Sequence, residues 1–281
     1  MSTAEKRFKA CIFDLDGTLL DSEKKLSEKN LKALEQAAAE GIEFVPATGR
    51  FFSGMPECIR ALPFINYAIT VNGASVFDIK NGKTVCASEI PWEKALEIFA
   101  EFDKYDAIYD CYMDNWGWMT ESFYNKADRY AANIHSLKMI RELRTPVKDL
   151  KTHISNTKHG IQKVQLFFKD LELRSRAMNE LKARFPDMEV TTSIVNNIEI
   201  NSKEATKGNA LKLLAEFIGV DVSKTVAFGD DFNDISMLRT AGIGFAMANA
   251  APEVRSAADR IAAGCDESGV GKAIEELLRR M

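Results

Sequence analysis

Lys9-Ala10-Cys11-Ile12-Phe13-Asp14-Leu15-Asp16-Gly17-Thr18 is the stretch on which the fold of this chain turns. Ala10 to Leu15 is a short apolar run, as expected for a strand buried on both faces. In open parallel sheets ligands bind beyond the carboxyl ends of strands, and that is where Asp14 and Asp16 fall. Two carboxylates one residue apart in a crowded site call for a cation or a shared proton. Gly17 lets the chain turn sharply and approach a ligand closely.

Outward from that run, the spacing predicts a βα alternation. Ser27 is placed to cap a helix with Leu31, Leu34 and Ala38 at helical spacing, and Gly41 to end it. A strand at Ile42 to Ala47, a helical stretch after Arg50 and a strand at Tyr67 to Val71 follow, which together imply a parallel sheet flanked by helices. The pattern then changes. Asn81-Gly82 between Ser75–Ile79 and Thr84–Ala87 is a hairpin signal. Beyond it the pattern reads as a helix (Trp92 to Tyr105), strands at Ile108–Met113 and Trp118–Glu121, one helix over Ser122–Leu143, a strand at Lys163–Phe168, a helix over Glu172–Phe185 and a strand from Glu189. The polar stretch Arg144 to Gly160 gives no clear pattern. After Ile200 the alternation returns, with helices at Lys207–Ile218, Ile235–Thr240 and Lys272–Arg280 and strands at Thr225–Phe228 and Gly244–Met247. The reading is a discontinuous α/β core of residues 1–83 and 194–281, Rossmann-like with a parallel sheet, carrying an inserted α+β domain at 84–193.

Composition narrows the class. The chain has 281 residues, enough for about two domains. With 46% apolar and 28% charged residues it is neither a disordered chain, a fibre nor a disulfide scaffold. A formal charge of -4 offers no excess to follow a phosphate backbone, so no nucleic-acid partner is expected. The five cysteines are scattered and never spaced CxxC, which points to reduced thiols. Met1 to Lys9 is polar, without a signal peptide, and no window has the apolar length of a membrane span, so a cytoplasmic protein with no membrane partner is expected.

Gly229-Asp230-Asp231-Phe232-Asn233-Asp234 follows the strand at Thr225–Phe228 and packs three acids and an amide into five positions. Such a hard-oxygen cluster suits Mg²⁺. Two acidic clusters at the ends of separate strands converge naturally on one cation. Thr48-Gly49-Arg50 ends the second strand with a hydroxyl and amides that suit an anion. Thr206-Lys207-Gly208 opens a helix with a lysine able to neutralise a phosphate oxygen or orient a carboxylate. Asn72-Gly73 follows the third strand.

In order, Asp14-Leu15-Asp16-Gly17-Thr18, Thr48-Gly49-Arg50, Lys207-Gly208 and Gly229 to Asp234 resemble the four motifs of the haloacid dehalogenase superfamily. The insert between the second and third motifs makes the chain similar to Cof-type phosphatases with a subclass IIB cap. Glu204-Ala205-Thr206 is more polar than is usual before the lysine. The resemblance implies that Asp14 attacks phosphorus to form an aspartyl-phosphate, and that Asp16 protonates the leaving alcohol and then activates water. It implies Mg²⁺ held by Asp14, the Asp16 carbonyl and Asp230, with Asp231 or Asp234 supporting its water shell or orienting Lys207. Thr48, Gly49, Lys207 and Asn233 would bind phosphate oxygens, with Arg50 and Asn72 as further substrate contacts.

The cap of this family closes over the phosphate site and contacts the leaving group. Tyr109 to Met119 concentrates aromatic and polar side chains, among which Asp114 and Trp116 are candidate substrate contacts; equally, the segment reads as a hairpin packing its own core. The expected function is a Mg²⁺-dependent phosphatase for small phosphorylated metabolites, sugar phosphates foremost, as a monomer or small homo-oligomer. The rivals are a phosphomutase of the same superfamily and a non-catalytic metal- or phosphate-binding module.

Overall fold

The computed structural model describes residues 8–279, so the polar start before Phe8 and the expected helix end at Arg280 lie outside the described residues. The chain divides into two compact units, one running through Ala87 and resuming at Thr206, the other Ser88–Ala205. The first contributes β1 (Ala10–Phe13), β2 (Glu43–Pro46), β3 (Tyr67–Thr70), β4 (Ser75–Asp78) and β5 (Lys83–Ala87). The second holds β6 (Ala107–Met113), β7 (Trp116–Thr120), β8 (Arg144–Val147), β9 (Lys163–Phe168), β10 (Met188–Thr191) and β11 (Asn197–Ser202). Back in the first unit come β12 (Thr225–Gly229), β13 (Ile243–Met247) and β14 (Arg260–Ala262).

The first unit is built on a parallel sheet in the order β14-β13-β12-β1-β2. Its central strand explains its own sequence: Cys11 and Phe13 enter one apolar cluster, Ala10 and Ile12 another on the opposite face. Helix α1 (Glu28–Ala39) and the helix at Gly269–Arg279 cover the first face through Ala33, Leu34, Val270 and Ile274. Helices at Lys207–Phe217 and Ile235–Thr240 cover the second through Leu211, Leu214, Met237 and Leu238. Ser27 caps α1 as its position suggests, its hydroxyl accepting from the Asn30 amide at 3.2 Å.

Three expectations need correction here. The segment after Arg50 forms only a 3₁₀ turn at Phe52–Gly54 and a single helical turn at Glu57–Arg60, because Pro56 has no amide to continue a helix through it. The strand at Tyr67 does not join the parallel sheet by a ladder. It heads a three-stranded antiparallel sheet β3-β4-β5, linked to the residue after β2 by one bridge, Ala47 to Ile69. That bridge is parallel, so β3 keeps the direction of β2; a tight turn at residues 71–74 then sends the chain straight back and makes β4 antiparallel to it. The hairpin signal at Asn81-Gly82 is real, and since β5 pairs with β4 the first unit runs to Ala87 instead of ending at residue 83.

The second unit is a six-stranded sheet, β10-β11-β9-β6-β7-β8, antiparallel except between β7 and β8. Helices at Trp92–Phe102, Leu150–Thr157 and Leu171–Arg184 pack on one face. The single helix expected over Ser122–Leu143 is broken into Glu121–Tyr124, a turn at Ala127–Arg129 and Ile134–Leu143, because Asn133 caps a new start through the Ser136 amide at 2.8 Å. Ile140 of that last helix reaches Ile108 and Phe167 on the other face, so helices are not confined to one side. The unpatterned stretch contains β8 and a helix capped by Asp149. Because β11 pairs with β9, the units part after Ala205 rather than after residue 193.

Candidate active site

The strands β12, β1 and β2 lie side by side; Asp230 and Asp14 directly follow the first two, and Thr48 comes two residues after the third. From β1 the chain moves to β2 on one side and later to β12 and β13 on the other, so Asp14 stands at the switch point where open α/β sheets bind ligands.

Lys207 opens its helix behind Thr206, whose hydroxyl accepts from the Asn209 amide at 3.1 Å. The lysine is fully buried, and Nζ donates to Asp14 Oδ1 and to Asp234 Oδ1, each at 2.6 Å. Burial alone would lower its pKa; the two carboxylates more than reverse that and keep it protonated. Asp234 Oδ2 accepts the backbone amides of Asp230 at 2.9 Å and Asp231 at 3.0 Å. Asp231 is exposed, and its carboxylate takes the neighbouring Phe232 amide at 2.7 Å.

Oxygens of Asp14, Asp230 and Asp234 lie within 4.8 Å of one another. Burial pushes Asp14 up to about 7, against the pull of Lys207 and with the help of Asp234 and Asp230. Asp230 is raised too, by burial first, although Thr18 Oγ1 donates to its Oδ1 at 2.6 Å. Gly17 is required here: at φ +89 it passes so close that a Cβ would lie 2.4 Å from Asp230 Oδ2. Carboxylates that resist ionising together form a donor set whose charge a divalent cation would offset.

Asp16 is held differently. Arg50 Nη2 reaches its Oδ2 at 3.0 Å and Lys24 Nζ its Oδ1 at 3.1 Å. Its burial raises the pKa, but these two cations outweigh that and hold it below the usual carboxylate value. Thr48 is buried, its hydroxyl accepting from the Arg50 amide at 3.2 Å. Asn72 does not stand alone: its Oδ1 accepts from Asn233 Nδ2 at 3.0 Å, and a Cβ on Gly49 would sit 3.0 Å from that oxygen.

The first unit therefore assembles Asp14, Asp16, Thr48, Gly49, Arg50, Asn72, Lys207, Asp230, Asn233 and Asp234 within one set of loops. Asp114 and Trp116 belong to the second unit. Asp114 lies at a hairpin tip with its carboxylate 2.8 Å from His159 Nδ1, and Trp116 Nε1 donates to Thr145 Oγ1 at 2.8 Å. Two participants escape the sequence reading. Lys24 is one; the other is Asn249, two residues past the end of β13, whose Nδ2 donates to the Gly17 carbonyl at 2.9 Å while its Oδ1 accepts from the Cys265 amide at 3.0 Å. A polar residue at the carboxyl end of a further parallel strand was the signal available for Asn249.

Residues 11–274 match the family of haloacid dehalogenase-like hydrolases, and the chain belongs to that family. It is 29% identical over 266 residues to 5-amino-6-(5-phospho-D-ribitylamino)uracil phosphatase of Bacillus subtilis, covering 95% of this chain and 94% of that one. A haloacid dehalogenase-like hydrolase from Bacteroides thetaiotaomicron superposes with a TM-score of 0.81 at 26% identity, over 96% of this chain and all (100%) of the other. A solved subclass IIB sugar phosphatase of the same superfamily superposes with a TM-score of 0.74 at 26% identity, over 95% and 98% of the two chains. The chain is a Cof-type member with a mixed α/β fold, an enzyme of the phosphoric monoester hydrolase class. Among the described residues no helix is long and apolar enough to cross a membrane.

Proposed function

We propose that the chain hydrolyses small phosphorylated metabolites, sugar phosphates foremost, in a Mg²⁺-dependent reaction through an aspartyl-phosphate on Asp14, in the cytoplasm. The observation that carries this is the buried Asp14–Lys207–Asp234 row beside Asp230, at the mouth of the central strand. The donor set fits the cation: Asp234 commits one oxygen to Lys207 and the other to two amides, leaving Asp14, Asp230 and the Asp16 carbonyl as hard ligands. When bound, Mg²⁺ would offset the repulsion between a carboxylate nucleophile and a phosphate dianion.

The protein's own groups divide the remaining work. Asp14 forms a bond to phosphorus as the bond to the leaving alcohol breaks. Asp16, kept ionised in the free site by Arg50 and Lys24, takes up a proton as the substrate draws Arg50 away. It gives that proton to the alcohol, then takes one from the water that cleaves the aspartyl-phosphate and frees inorganic phosphate. Lys207, Thr48 and Asn233 hold the phosphate oxygens, Gly49 supplies a backbone amide, and Arg50 competes between Asp16 and the substrate. Asp234 orients Lys207, while Asp231 would support the water shell of a bound metal. The sugar phosphatase among the structural relatives supports that substrate class. Asp114 and Trp116 are proposed to contribute to leaving-group choice from the second unit.

The test is a phosphate-release screen over sugar phosphates, nucleotides, pyridoxal phosphate and flavin mononucleotide, with and without Mg²⁺. Release that needs Mg²⁺ and disappears in Asp14→Asn is expected. Release by Asp14→Asn at the wild-type rate overturns the covalent route. Isomerised product from a bisphosphorylated sugar, without free phosphate, gives the phosphomutase instead.

A further inference from the structure

The connection from β3 to β4 is held in a conformation its own residues resist. Val71, Asn72 and Gly73 all have positive φ, at +50, +58 and +102. Asparagine and glycine tolerate this region, but a β-branched valine there is an outlier that the surroundings must enforce. The sheet itself does not need it. The other hairpin of the same sheet turns with one left-handed residue, Gly82 at φ +63, and a Cβ on Gly82 would meet nothing within 4 Å.

The contacts of the turn account for the strain. The Val71 amide donates to the Arg50 carbonyl and the Asn72 amide to the Thr48 carbonyl, both at 3.0 Å. The Asn72 side chain takes Asn233 Nδ2 at 3.0 Å. Gly73 abuts the start of the lysine helix so closely that a Cβ would lie 2.2 Å from the Thr206 carbonyl oxygen and 2.9 Å from the Lys207 nitrogen. Three segments of the phosphate site, carrying Thr48, Asn233 and Lys207, therefore rest on three consecutive residues.

We propose that Val71-Asn72-Gly73 is a strained strut that sets the spacing of the phosphate-binding groups, with Asn72 and Gly73 as positioning residues rather than substrate contacts. The inference rests on the phosphatase reading above. Asn72 acts through Asn233, so its loss weakens phosphate binding. Gly73 acts through Lys207, so crowding it disturbs the group paired with the nucleophile and slows turnover.

The test compares Asn72→Gly, Gly73→Ala and Gly82→Ala in the full chain, by steady-state kinetics on p-nitrophenyl phosphate, orthovanadate affinity in the presence of Mg²⁺, and Tm. Glycine at 72 is at ease in the left-handed region, so Tm should hold while KM and the vanadate Kd rise about fivefold, the worth of one neutral hydrogen bond. Gly73→Ala should lower kcat about 100-fold, the scale of an ångström-sized misplacement. Gly82→Ala imposes the same backbone penalty on the same sheet but should cost only Tm. Wild-type kinetics and vanadate affinity in folded Asn72→Gly and Gly73→Ala, or equal losses in Gly82→Ala, overturn the strut. If Gly73→Ala fails to fold, Asn72→Gly decides alone. A wild-type protein that neither releases phosphate nor binds vanadate fails one step earlier, at the phosphatase reading, and takes the strut with it.

Discussion

Asp234 holds Lys207 in place: its Oδ1 lies 2.6 Å from the ammonium, while its Oδ2 gathers the amides of Asp230 and Asp231. One fully buried carboxylate thus ties the helix that carries the lysine to the loop that carries the metal-ligand candidate. Asp234→Asn removes its charge and turns an N–H donor toward either the ammonium or the amides. It should cost about 3 kcal/mol of stability, as breaking a buried ion pair does. Activity should fall about 100-fold as Lys207 loses its alignment. Asp231→Asn, at an exposed residue that caps the following turn, should stay within about 0.5 kcal/mol of stability because asparagine caps as well. Urea unfolding and phosphate release on the two variants separate these roles, which the sequence left open.

The raised pKa of Asp14 sets the pH behaviour of the metal-free protein. A carboxyl whose folded pKa lies above its unfolded value holds more protons folded than unfolded between about pH 4 and 7. Stability of the EDTA-treated protein should therefore fall as pH rises through that window. A proton on Asp14 also competes with Mg²⁺, so metal affinity should rise about tenfold per pH unit up to about 7 and then level. Calorimetric Mg²⁺ titration and Tm at pH 5, 6, 7 and 8 check both signs. A Tm gain from Mg²⁺ that is larger at pH 5 than at pH 7 contradicts them.

The parts that could be read from the sequence are those fixed by local patterns. β1 declared itself by an apolar run serving two faces, and the acidic turns after β1 and β12 by their place at strand ends. What escaped was set by pairing over distance. Tyr67–Thr70 is as apolar as a parallel strand and meets the end of β2 in parallel at one bridge, but the left-handed turn after it gives its ladder to an antiparallel partner, β4. The helix start at Asn133 is a single capping residue inside an otherwise helical spacing. Asp234 and Asp231 are indistinguishable as letters; burial and the direction of one carboxylate distinguish them.

Asp16 is predicted to matter in proportion to how much help the leaving group needs. Asp16→Asn keeps the size and the backbone carbonyl but has no proton to give. An activated aryl phosphate releases a stable phenolate, so its first step needs that proton least. The expected loss is about 10⁴-fold in kcat/KM for a sugar phosphate but about 100-fold for p-nitrophenyl phosphate, the residual loss reflecting the water step. Equal losses on both substrates would remove Asp16 from leaving-group protonation. Arg50→Ala, which frees the carboxylate of one of its two cations, should raise KM alike on both substrates, without the split between them that Asp16→Asn produces.

The second unit offers a stability test that reads itself. Arg144 Nε lies 2.5 Å from Asp110 Oδ2, Arg144 Nη2 donates to the Tyr112 hydroxyl at 2.9 Å, and the pair is almost wholly buried. Gly117 makes room for it: a Cβ there would stand 2.3 Å from the arginine's Cδ and 2.4 Å from the Leu143 carbonyl oxygen. Burial raises Asp110 despite Arg144, so the carboxylate relies on the guanidinium to stay charged. Arg144→Met strands that carboxylate and should cost about 4 kcal/mol, whereas Arg144→Met with Asp110→Leu should recover most of the loss, since removing both charges also removes their desolvation. All three tryptophans, Trp92, Trp116 and Trp118, lie in this unit, so tryptophan fluorescence reports directly on it. The urea midpoint by fluorescence should drop sharply in Arg144→Met and in Gly117→Ala and return in the double variant. A double variant no better than Arg144→Met alone would mean that the pair is worth more than its desolvation, and that the charges are net stabilising where they stand.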